Sequence, residues 1–360
     1  MTGRKPQEMV GGQAVIEGVM MRSPKGVAVA VRRSDGSIVV RDRPWTSLTK
    51  RVTVLGLPFV RGMVVLVESL SGGIDALRFS AEAAVSDADE AKGGVGAAGA
   101  LALTAGGDGG GSKASFSANL ALILGLVLAL LLFKGIPHLV ATLTGFQVTD
   151  PMFHVVDGAA KLTLVVGYIA AISRMKDIQR VFEYHGAEHK SIRALEEELE
   201  LTVENAAAQG RTHERCGTSF LVVVVLASVV LYIALSPLLP SDLGTGWRYW
   251  VAQAALIVAK VLLLAPVGAI AYEINRFAGT HWRAPWAKVI TWPGLLIQRA
   301  LTTREPTAAQ IEVALAALRT ALSLAPQANA GQDGPARWRL RAFDDFGAFL
   351  SSTAQTARTE

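Results

Sequence analysis

Residues 220–235 read FLVVVVLASVVLYIAL, an apolar run without a charged side chain. The run belongs to a longer apolar stretch, residues 218–239, and a helix needs roughly 20 mostly apolar residues to cross the hydrocarbon layer of a bilayer. Residues 116–136, 155–173 and 249–272 qualify or nearly qualify as well. We therefore predict a mainly α fold class: a polytopic membrane protein with about four transmembrane helices.

Composition excludes two broad classes of protein. The chain has 360 residues, 51% of them apolar, with a formal net charge of +5 and a single cysteine. One cysteine cannot form an internal disulfide, so a disulfide framework is excluded. The positive charge is too modest to indicate a nucleic-acid partner. The partner that the apolar runs predict is the lipid bilayer.

The distribution of lysine and arginine predicts how the spans are oriented. Residues 174–217 contain seven of these side chains, whereas residues 134–154 and 236–249 contain one each. Loops on the cytoplasmic side are enriched in lysine and arginine, so residues 174–217 are expected in the cytoplasm. With four spans, the N- and C-termini are cytoplasmic too, in a multi-pass protein of the bacterial inner membrane.

Local signals predict the elements outside the spans. Asp35 and Gly36 between β-branched runs indicate a small N-terminal β-hairpin. Thr307 with Gln310 forms a capping box at the start of a helix over 307–324. Interrupted apolar stretches indicate cytoplasmic or interfacial amphipathic helices, and they lie at residues 52–74 and 283–301.

These signals divide the chain into segments of different character. The predicted segments are 1–82 (N-terminal cytoplasmic β-hairpin plus amphipathic helix), 83–115 (flexible Gly/Ala-rich linker), 116–173 (transmembrane hairpin 1), 174–217 (cytoplasmic helical segment with a histidine cluster), 218–272 (transmembrane hairpin 2), 273–324 (interfacial and amphipathic helices) and 325–360 (mostly disordered tail, except around 338–349). Chemistry is therefore expected in residues 174–217, between the two membrane hairpins.

Metal-binding residue types cluster in that cytoplasmic segment. His185 and His189 stand four residues apart in EYHGAEHK (183–190), with Glu188 beside the second histidine. On one helix over 174–199, both imidazoles lie on the inward face and can share one divalent ion, for which zinc is our prediction. The order His-x-x-Glu-His matches the inverted zinc-protease pattern, in which the glutamate is the general base. Gly186 lacks a side chain, so another segment can approach the helix closely between the histidines.

The third ligand stays open at this point. His213 and Cys216 lie a turn apart in RTHERCG (211–217), and Glu204 lies on the same segment. Zinc accepts imidazole, thiolate and carboxylate ligands. A single cysteine is more often a small buried residue than a ligand. The helix histidines can also serve only as hydrogen-bonding groups toward a neighbouring segment.

Two more ionisable residues are candidates outside the histidine cluster. Glu17 stands among glycines in GGQAVIEG (11–18), where it can reach the site as a ligand or base or simply belong to a turn before the hairpin. Lys260 falls near the middle of the last apolar run, and Asp157 is its nearest potential partner. An ionisable group inside a membrane span is a functional candidate, although a lysine can also face the bundle interior beside a water molecule.

Six motifs in order resemble the YqhQ-like family of bacterial membrane proteins. They are GGQAVIEGVMMR (11–22), GLPFVRG (56–62), YHGAEHK (184–190), LTVEN (201–205), RCGTSFL (215–221) and PGLLIQRALTTREP (293–306). The resemblance covers residues 9–320 and implies a membrane protein with several spans. Its members are described as a domain of unknown function and labelled predicted metal-dependent enzymes. Glu214 stands where the family usually has proline.

Three functions are compatible with these patterns. The first is a metal-dependent hydrolase at the cytoplasmic membrane interface that acts on a membrane protein, a peptide or a lipid. The second is a non-enzymatic scaffold or regulator of transport or membrane-protein biogenesis, in which the histidines are structural. The third is a small transporter with Lys260 and Asp157 along its transport path. Four spans are few for a transporter, so this function requires an oligomer. A bound metal ion distinguishes the first function from the other two.

Overall fold

The computed structural model describes residues 10–84, 124–125, 127–239, 242–281, 284–324 and 338–359. Most of these residues are helical, as predicted. The helices are α1 (Leu48–Arg51), α2 (Val60–Ala84), α3 (Val127–Leu143), α4 (Pro151–Ile172), α5 (Lys176–Glu196), α6 (Val203–Ala207), α7 (Gly217–Leu235), α8 (Trp247–Leu262), α9 (Leu264–Thr280), α10 (Pro285–Ile297), α11 (Ala308–Ser323) and α12 (Phe346–Thr359).

The predicted hairpin is part of a larger antiparallel sheet with strand order β1-β2-β3-β4-β5. Its strands are β1 (Gly11–Val15), β2 (Gly18–Arg22), β3 (Gly26–Arg32), β4 (Ile38–Pro44) and β5 (Arg339–Phe343). The hairpin consists of β3 and β4, which pair up to Arg32 opposite Ile38. Gly36 in the connecting turn has φ of 92°, a conformation that glycine adopts without steric cost.

Helices cover both faces of this sheet. The valines of β3 face the C-terminal half of α2, where Ala76 and Phe79 are buried. Ala28 and Ala30 of the same strand belong to the other core, with Leu315 of α11. Successive side chains of a strand point to opposite faces, so a strand buried on both sides is apolar throughout. The predicted helix 307–324 is confirmed as α11, capping box included.

The C-terminal segment forms a strand and a helix around residues 338–349, the part excepted from the predicted disordered tail. Strand β5 pairs with β4, and Arg339 and Arg341 both bind the fully buried carboxylate of Asp42. Phe349 of α12 is fully buried against the sheet core. The order comes from partners about 300 positions earlier in the chain, which a polar local sequence does not reveal. Residues 325–337 lie outside the described residues.

Three helices are long and apolar enough to cross a membrane: Pro151–Ile172, Gly217–Leu238 and Trp247–Thr280. Only 17%, 33% and 28% of their most apolar windows are buried within the protein, so most of these apolar side chains face outward, as lipid contact requires. Of the first predicted span, 116–136, residues 127–136 belong to the shorter apolar helix Val127–Leu143. The last span is longer than the predicted 249–272 because α8 and α9 are nearly continuous.

The two predicted amphipathic stretches lie beside the apolar helices. Residues 52–74 form a short turn and the first half of α2, which contacts α9 through an Arg61–Glu273 ion pair. Helix α2 continues to Ala84, past the predicted start of the linker at residue 83; residues 85–115 lie outside the described residues. Helix α10 exposes Trp286 and Trp292, the amphipathic aromatic residues typical of a membrane interface.

Candidate metal centre

Helix α5 carries the two histidines, and its inward face packs against the sheet and α11. Tyr184 and Ala187 of this helix are fully buried in the core they share. The predicted helix 174–199 is observed with slightly shorter ends, and His185 and His189 lie on one face with ring centroids 4.3 Å apart. The i, i+4 spacing therefore brings the two imidazoles together, as expected for one helical turn.

Cys216 supplies a third ligand atom from a different element. It caps the N-terminus of α7, where its Sγ accepts the N–H of Thr218 at 3.4 Å. The same Sγ lies 3.2 Å from Nε2 of His185. One ligand atom each of His185, His189 and Cys216 all lie within 4.8 Å of one another. Two turns of separate helices thus converge on a three-residue group.

Backbone carbonyls orient both imidazoles toward this group. Nδ1 of His185 lies 2.8 Å from the carbonyl oxygen of Thr302, and Nδ1 of His189 lies 2.8 Å from that of Arg211. A carbonyl can only accept, so each Nδ1 carries a proton, and in the neutral form of the ring Nε2 keeps its lone pair. Metal-ligating histidines almost always donate their second N–H in this way.

The distance between the His185 and Cys216 ligand atoms can be compared with that in a tetrahedral zinc site. Zinc–nitrogen and zinc–sulfur bonds of about 2.0–2.3 Å put neighbouring tetrahedral ligand atoms about 3.3–3.7 Å apart. The 3.2 Å between His185 Nε2 and Cys216 Sγ is close to that range. Three protein ligands leave a fourth position for substrate or solvent, which is the composition of catalytic zinc sites.

Two glycines allow other backbone segments to approach α5. The carbonyl group of Arg304 occupies the space that a Cβ at Gly186 would need, and Pro306 Cδ lies 3.3 Å from that position. The predicted close approach between the histidines is therefore made by the segment after α10. On β1, a Cβ at Gly12 would lie 2.7 Å from the carboxyl group of Glu188, so the N-terminal glycine motif packs directly on the site.

Glu188 is a buried carboxyl group next to this three-residue group. It is 5% exposed and accepts a hydrogen bond from the backbone N–H of Ala14. Its Oε2 has no hydrogen-bond partner among the described residues. Burial raises the pKa of Glu188 to about 8, although the neighbouring charge of His185 acts in the opposite direction. A carboxyl group with a pKa near neutrality can both accept and return a proton.

Cys216 and His185 shift each other's pKa in opposite directions. Burial raises the pKa of the Cys216 thiol, but the adjacent imidazoles more than reverse this and hold it well below its ordinary value. Burial lowers the pKa of His185, but the Cys216 charge and hydrogen bond raise it to about 9. Burial lowers the pKa of His189. The thiolate is the form that binds a metal, whereas His185 must release a proton to do so.

His213 does not join the ligand group, although the sequence made it a candidate. Its Nε2 lies 3.0 Å from a carboxylate oxygen of Glu196, and its Nδ1 accepts the N–H of Arg215 at 3.2 Å. Both ring nitrogens are thus occupied. Burial raises the pKa of Glu196, yet the hydrogen bond from His213 and nearby arginines lower it to about 2. His213 therefore anchors the loop that carries Cys216.

Two predicted carboxylates also lie outside the group. Glu204 is exposed in the first turn of α6. Glu17 has φ of 52° in the turn between β1 and β2. It binds Arg180 and accepts from the Tyr184 hydroxyl at 3.3 Å, so it contacts α5 without belonging to the three-residue group. The sequence reasoning missed the carbonyl acceptors Thr302 and Arg211, because a backbone oxygen has no residue-type signal.

Lys260 lies far from this centre and has the predicted partner. Its Nζ is 3.0 Å from Asp157 Oδ2 and 3.0 Å from His138 Nδ1. Lys161 shares the same carboxylate oxygen at 2.5 Å. The sequence identified the contact between Lys260 and Asp157. It did not identify His138 as a second partner of Lys260 or Lys161 as a second partner of Asp157. This second polar cluster lies within the apolar helices.

Comparison with known proteins places most of the chain in one family of sequences. The family model described as "Protein of unknown function (DUF1385)" matches residues 57–324. The chain is 32% identical over 334 residues to the uncharacterized protein YqhQ of Bacillus subtilis (strain 168), which covers 90% of this chain and 95% of that protein. No solved structure matches the chain.

Proposed function

The chain belongs to the DUF1385 family of proteins of unknown function, and we propose that it is an integral membrane hydrolase that depends on one divalent metal ion. The observation that carries this proposal is the convergence of one ligand atom each of His185, His189 and Cys216 within 4.8 Å of one another. The proposed ion is zinc, which accepts two imidazoles and a thiolate. When bound, zinc supplies a Lewis acid next to the Glu188 carboxyl group.

The residues around the group have separate roles in this proposal. Thr302 and Arg211 hold the imidazoles in the ligating tautomer through their carbonyls. Glu188 takes a proton from the attacking water and returns it to the leaving group, which its raised pKa permits. The Ala14 N–H holds one side of this carboxyl group, and the unpartnered Oε2 is the oxygen we assign to proton transfer.

The site lies next to the bilayer in the proposed topology. Cys216 directly precedes the apolar helix Gly217–Leu238, and α5 follows the end of Pro151–Ile172. We propose four spans, counting the region of α3, with both termini and the metal centre in the cytoplasm. The lysine and arginine bias of residues 174–217 supports this orientation. A substrate in this position is a membrane protein, a peptide or a lipid at the cytoplasmic interface.

Metal analysis of the purified full-length protein tests the proposal. We expect about one zinc per chain, and most of it should be lost in His185→Ala, His189→Ala and Cys216→Ser. His281→Ala is the control, since this histidine is exposed and lies outside the three-residue group; its metal content should stay unchanged. Stoichiometric metal retained in the His185→Ala, His189→Ala double variant would refute the metal site.

A metal-free protein would favour a second candidate, a cysteine nucleophile. The 3.2 Å contact between His185 and Cys216, at the N-terminus of α7, is the observation that supports it, because a thiolate beside an imidazolium is an activated nucleophile. Rapid alkylation of Cys216 by iodoacetamide, slowed in His185→Ala, would identify this chemistry. Metal-free protein with an unreactive Cys216 would leave the non-enzymatic scaffold.

The topology has its own test. Single cysteines are introduced at Thr149 and at Gln209 in Cys216→Ser protein. The loop that contains Thr149 is predicted to lie outside the cytoplasm, and the loop that contains Gln209 is predicted to lie inside it. An impermeant maleimide added to intact cells should label the first and not the second. The reverse pattern would place the histidine cluster outside the cytoplasm.

A further inference from the structure

Strand β1 is an edge of the sheet, and it lies beside the proposed metal centre. The strand order runs from β1 to β5, so β1 has a paired strand only on its β2 side within the part of the chain that the structure describes. Helix α5 packs on β1 with Glu188 against Gly12, and the Ala14 N–H donates to the Glu188 carboxyl group. The edge strand therefore contacts the proposed catalytic carboxyl group directly.

The strand register shows which backbone groups of β1 point outward. In an antiparallel pair, residues whose backbone groups bond to the partner strand alternate with residues whose groups point away. The Arg32 N–H donates to the Glu17 carbonyl at 2.9 Å, so the odd-numbered residues of β2, in phase with Glu17, bond to β3 and the even-numbered ones bond to β1. The even-numbered residues of β2 lie opposite the odd-numbered residues of β1. Gly12 and Ala14 therefore direct their N–H and C=O groups away from the sheet.

Three of these four outward-pointing groups are available to a partner. The Ala14 N–H is held by Glu188. The Gly12 N–H, the Gly12 carbonyl and the Ala14 carbonyl have no hydrogen-bond partner among the described residues. Gly12 and Ala14 are both partly exposed. Unpaired N–H and C=O groups along an edge strand form a template on which another extended chain can pair.

The two edges of the sheet differ in how they are protected against such pairing. Proteins commonly place charged residues or proline on an edge strand to prevent it. Strand β5 follows this rule with Arg339 and Arg341, which both bind Asp42. Strand β1 reads GGQAV and contains neither a charged residue nor proline. Its exposed Gly11 has nothing within 4 Å of its Cβ position, and glycine in a strand often marks the close approach of another backbone. The edge suited to pairing is therefore the one beside Glu188.

We propose that the substrate of the hydrolase is an extended peptide segment that binds as an additional antiparallel strand on β1, an inference that rests on the proposed function. An antiparallel strand exchanges two hydrogen bonds with each outward-pointing residue, and Gly12 can supply both. Ala14 supplies only its carbonyl, because Glu188 holds its N–H. The part of the peptide backbone opposite Ala14 therefore lies beside the Glu188 carboxyl group. A hydrocarbon chain has no hydrogen-bonding groups for this edge, so the edge favours a peptide over a lipid.

Hydrolysis of a peptide bond at this position consumes one water molecule. Glu188 accepts a proton from the water, and the water oxygen forms a bond to the peptide carbonyl carbon. The C–N bond then breaks, and Glu188 returns the proton to the leaving nitrogen. The products are a carboxylic acid and an amine, so the reaction needs neither an oxidant nor a second organic substrate.

Cleavage of a random decapeptide library by the purified full-length protein in maltoside micelles tests the substrate class. Peptide products are identified by mass spectrometry, and the same preparation is assayed for zinc content and for ester hydrolysis of phosphatidylglycerol. We expect peptide products and no lipid hydrolysis. Lipid hydrolysis without peptide products would overturn the peptide inference and leave the proposed hydrolase standing. Absence of zinc and of both reactions would overturn the peptide inference and the proposed function together.

Single N-methyl groups in the best-cleaved decapeptide test the strand geometry. Only every second N–H of an added strand faces β1, and β1 offers two outward carbonyls, those of Gly12 and Ala14. Two peptide nitrogens, two residues apart, should therefore be sensitive, and the nitrogen between them should not. Methylation of a sensitive nitrogen removes a hydrogen bond and places a methyl group against β1, so the analogue should compete with the parent peptide about tenfold more weakly. Equal effects at all three nitrogens would overturn strand addition while leaving peptide hydrolysis intact.

Photo-crosslinking then locates the bound peptide. In Glu188→Gln protein, which should bind the fluorescein-labelled decapeptide without cleaving it, p-benzoylphenylalanine replaces either Gly11 of β1 or Leu340 of β5. Both positions are exposed on an edge strand, but four strand spacings, about 19 Å, separate the two edges. We expect a peptide crosslink from β1 only, in variants whose zinc content and melting temperature match those of Glu188→Gln. Equal peptide crosslinks from both edges, or a crosslink from β1 to a second copy of the chain, would overturn the proposal.

Discussion

Gly186→Ala tests how the metal centre is held together. Gly186 lies inside α5, between His185 and His189, and the backbone carbonyl of Arg304 occupies the space that its Cβ would need. The neighbour is backbone rather than a flexible side chain, so the segment after α10 has to move away. That segment binds α5 through the Arg304 N–H, which donates to the Phe182 carbonyl at 2.9 Å.

Opposing effects decide whether this substitution raises or lowers the free energy of unfolding. Alanine is favoured over glycine inside a helix by about 0.8–1.0 kcal/mol. Overpacking costs about 1–3 kcal/mol, and loss of one hydrogen bond costs about 0.5–1.5 kcal/mol more. We therefore expect a net destabilisation of about 0.5–3.7 kcal/mol. The shifted segment also carries the Thr302 carbonyl that orients His185, and loss of such an outer partner lowers metal affinity about 10–100-fold.

Thermal unfolding and zinc competition titrations on the same preparation measure both effects. Gly72→Ala is the matched control, because Gly72 also lies inside a long helix but its Cβ position has nothing within 4 Å. The control should keep its zinc affinity and melt at or slightly above the wild-type temperature. If Gly186→Ala matched the control in both measurements, the close contact between α5 and the Arg304 segment would be wrong.

Further predictions concern the base, the pH dependence and the chain ends. Glu188→Gln should keep its zinc by elemental analysis but lose hydrolysis by about 10²-fold or more; loss of the ion would make Glu188 a ligand instead. Zinc affinity should rise as pH approaches about 9, by at most about tenfold per unit, because the ion displaces the proton that His185 holds below its pKa of about 9; equal affinities at about pH 6 and 8 by calorimetry would contradict this. Truncation after residue 337 should lower the melting temperature by several degrees, since it exposes the sheet edge and the Asp42 carboxylate, and an unchanged melting curve would show that β5 and α12 do not pack. Deletion of residues 92–112 should leave the melting temperature nearly unchanged, and a large loss of folded protein would show that the segment packs.

Sequence alone determined the features that depend on neighbours a few positions apart. The run around residues 220–235 is apolar enough to mark a span by itself. The turn at Gly36 and the cap at Thr307 are local hydrogen-bond patterns, and both appear as predicted. The spacing of four between His185 and His189 places both imidazoles on one face of any helix. Each of these statements needs only the periodicity of the backbone and the chemistry of adjacent side chains.

Only the tertiary structure decided which distant residues meet. His213 and Cys216 were equal candidates by spacing, but the carboxylate of Glu196 binds His213 and leaves the thiol beside His185. The carbonyls that orient the imidazoles come from two distant segments, the helical turn that ends at Thr302 and the loop that contains Arg211. Strand β5 is ordered through pairing with β4, about 300 residues away along the chain. These contacts depend on how helices and strands stack, and their free energy belongs to pairs of surfaces that no local window of sequence contains.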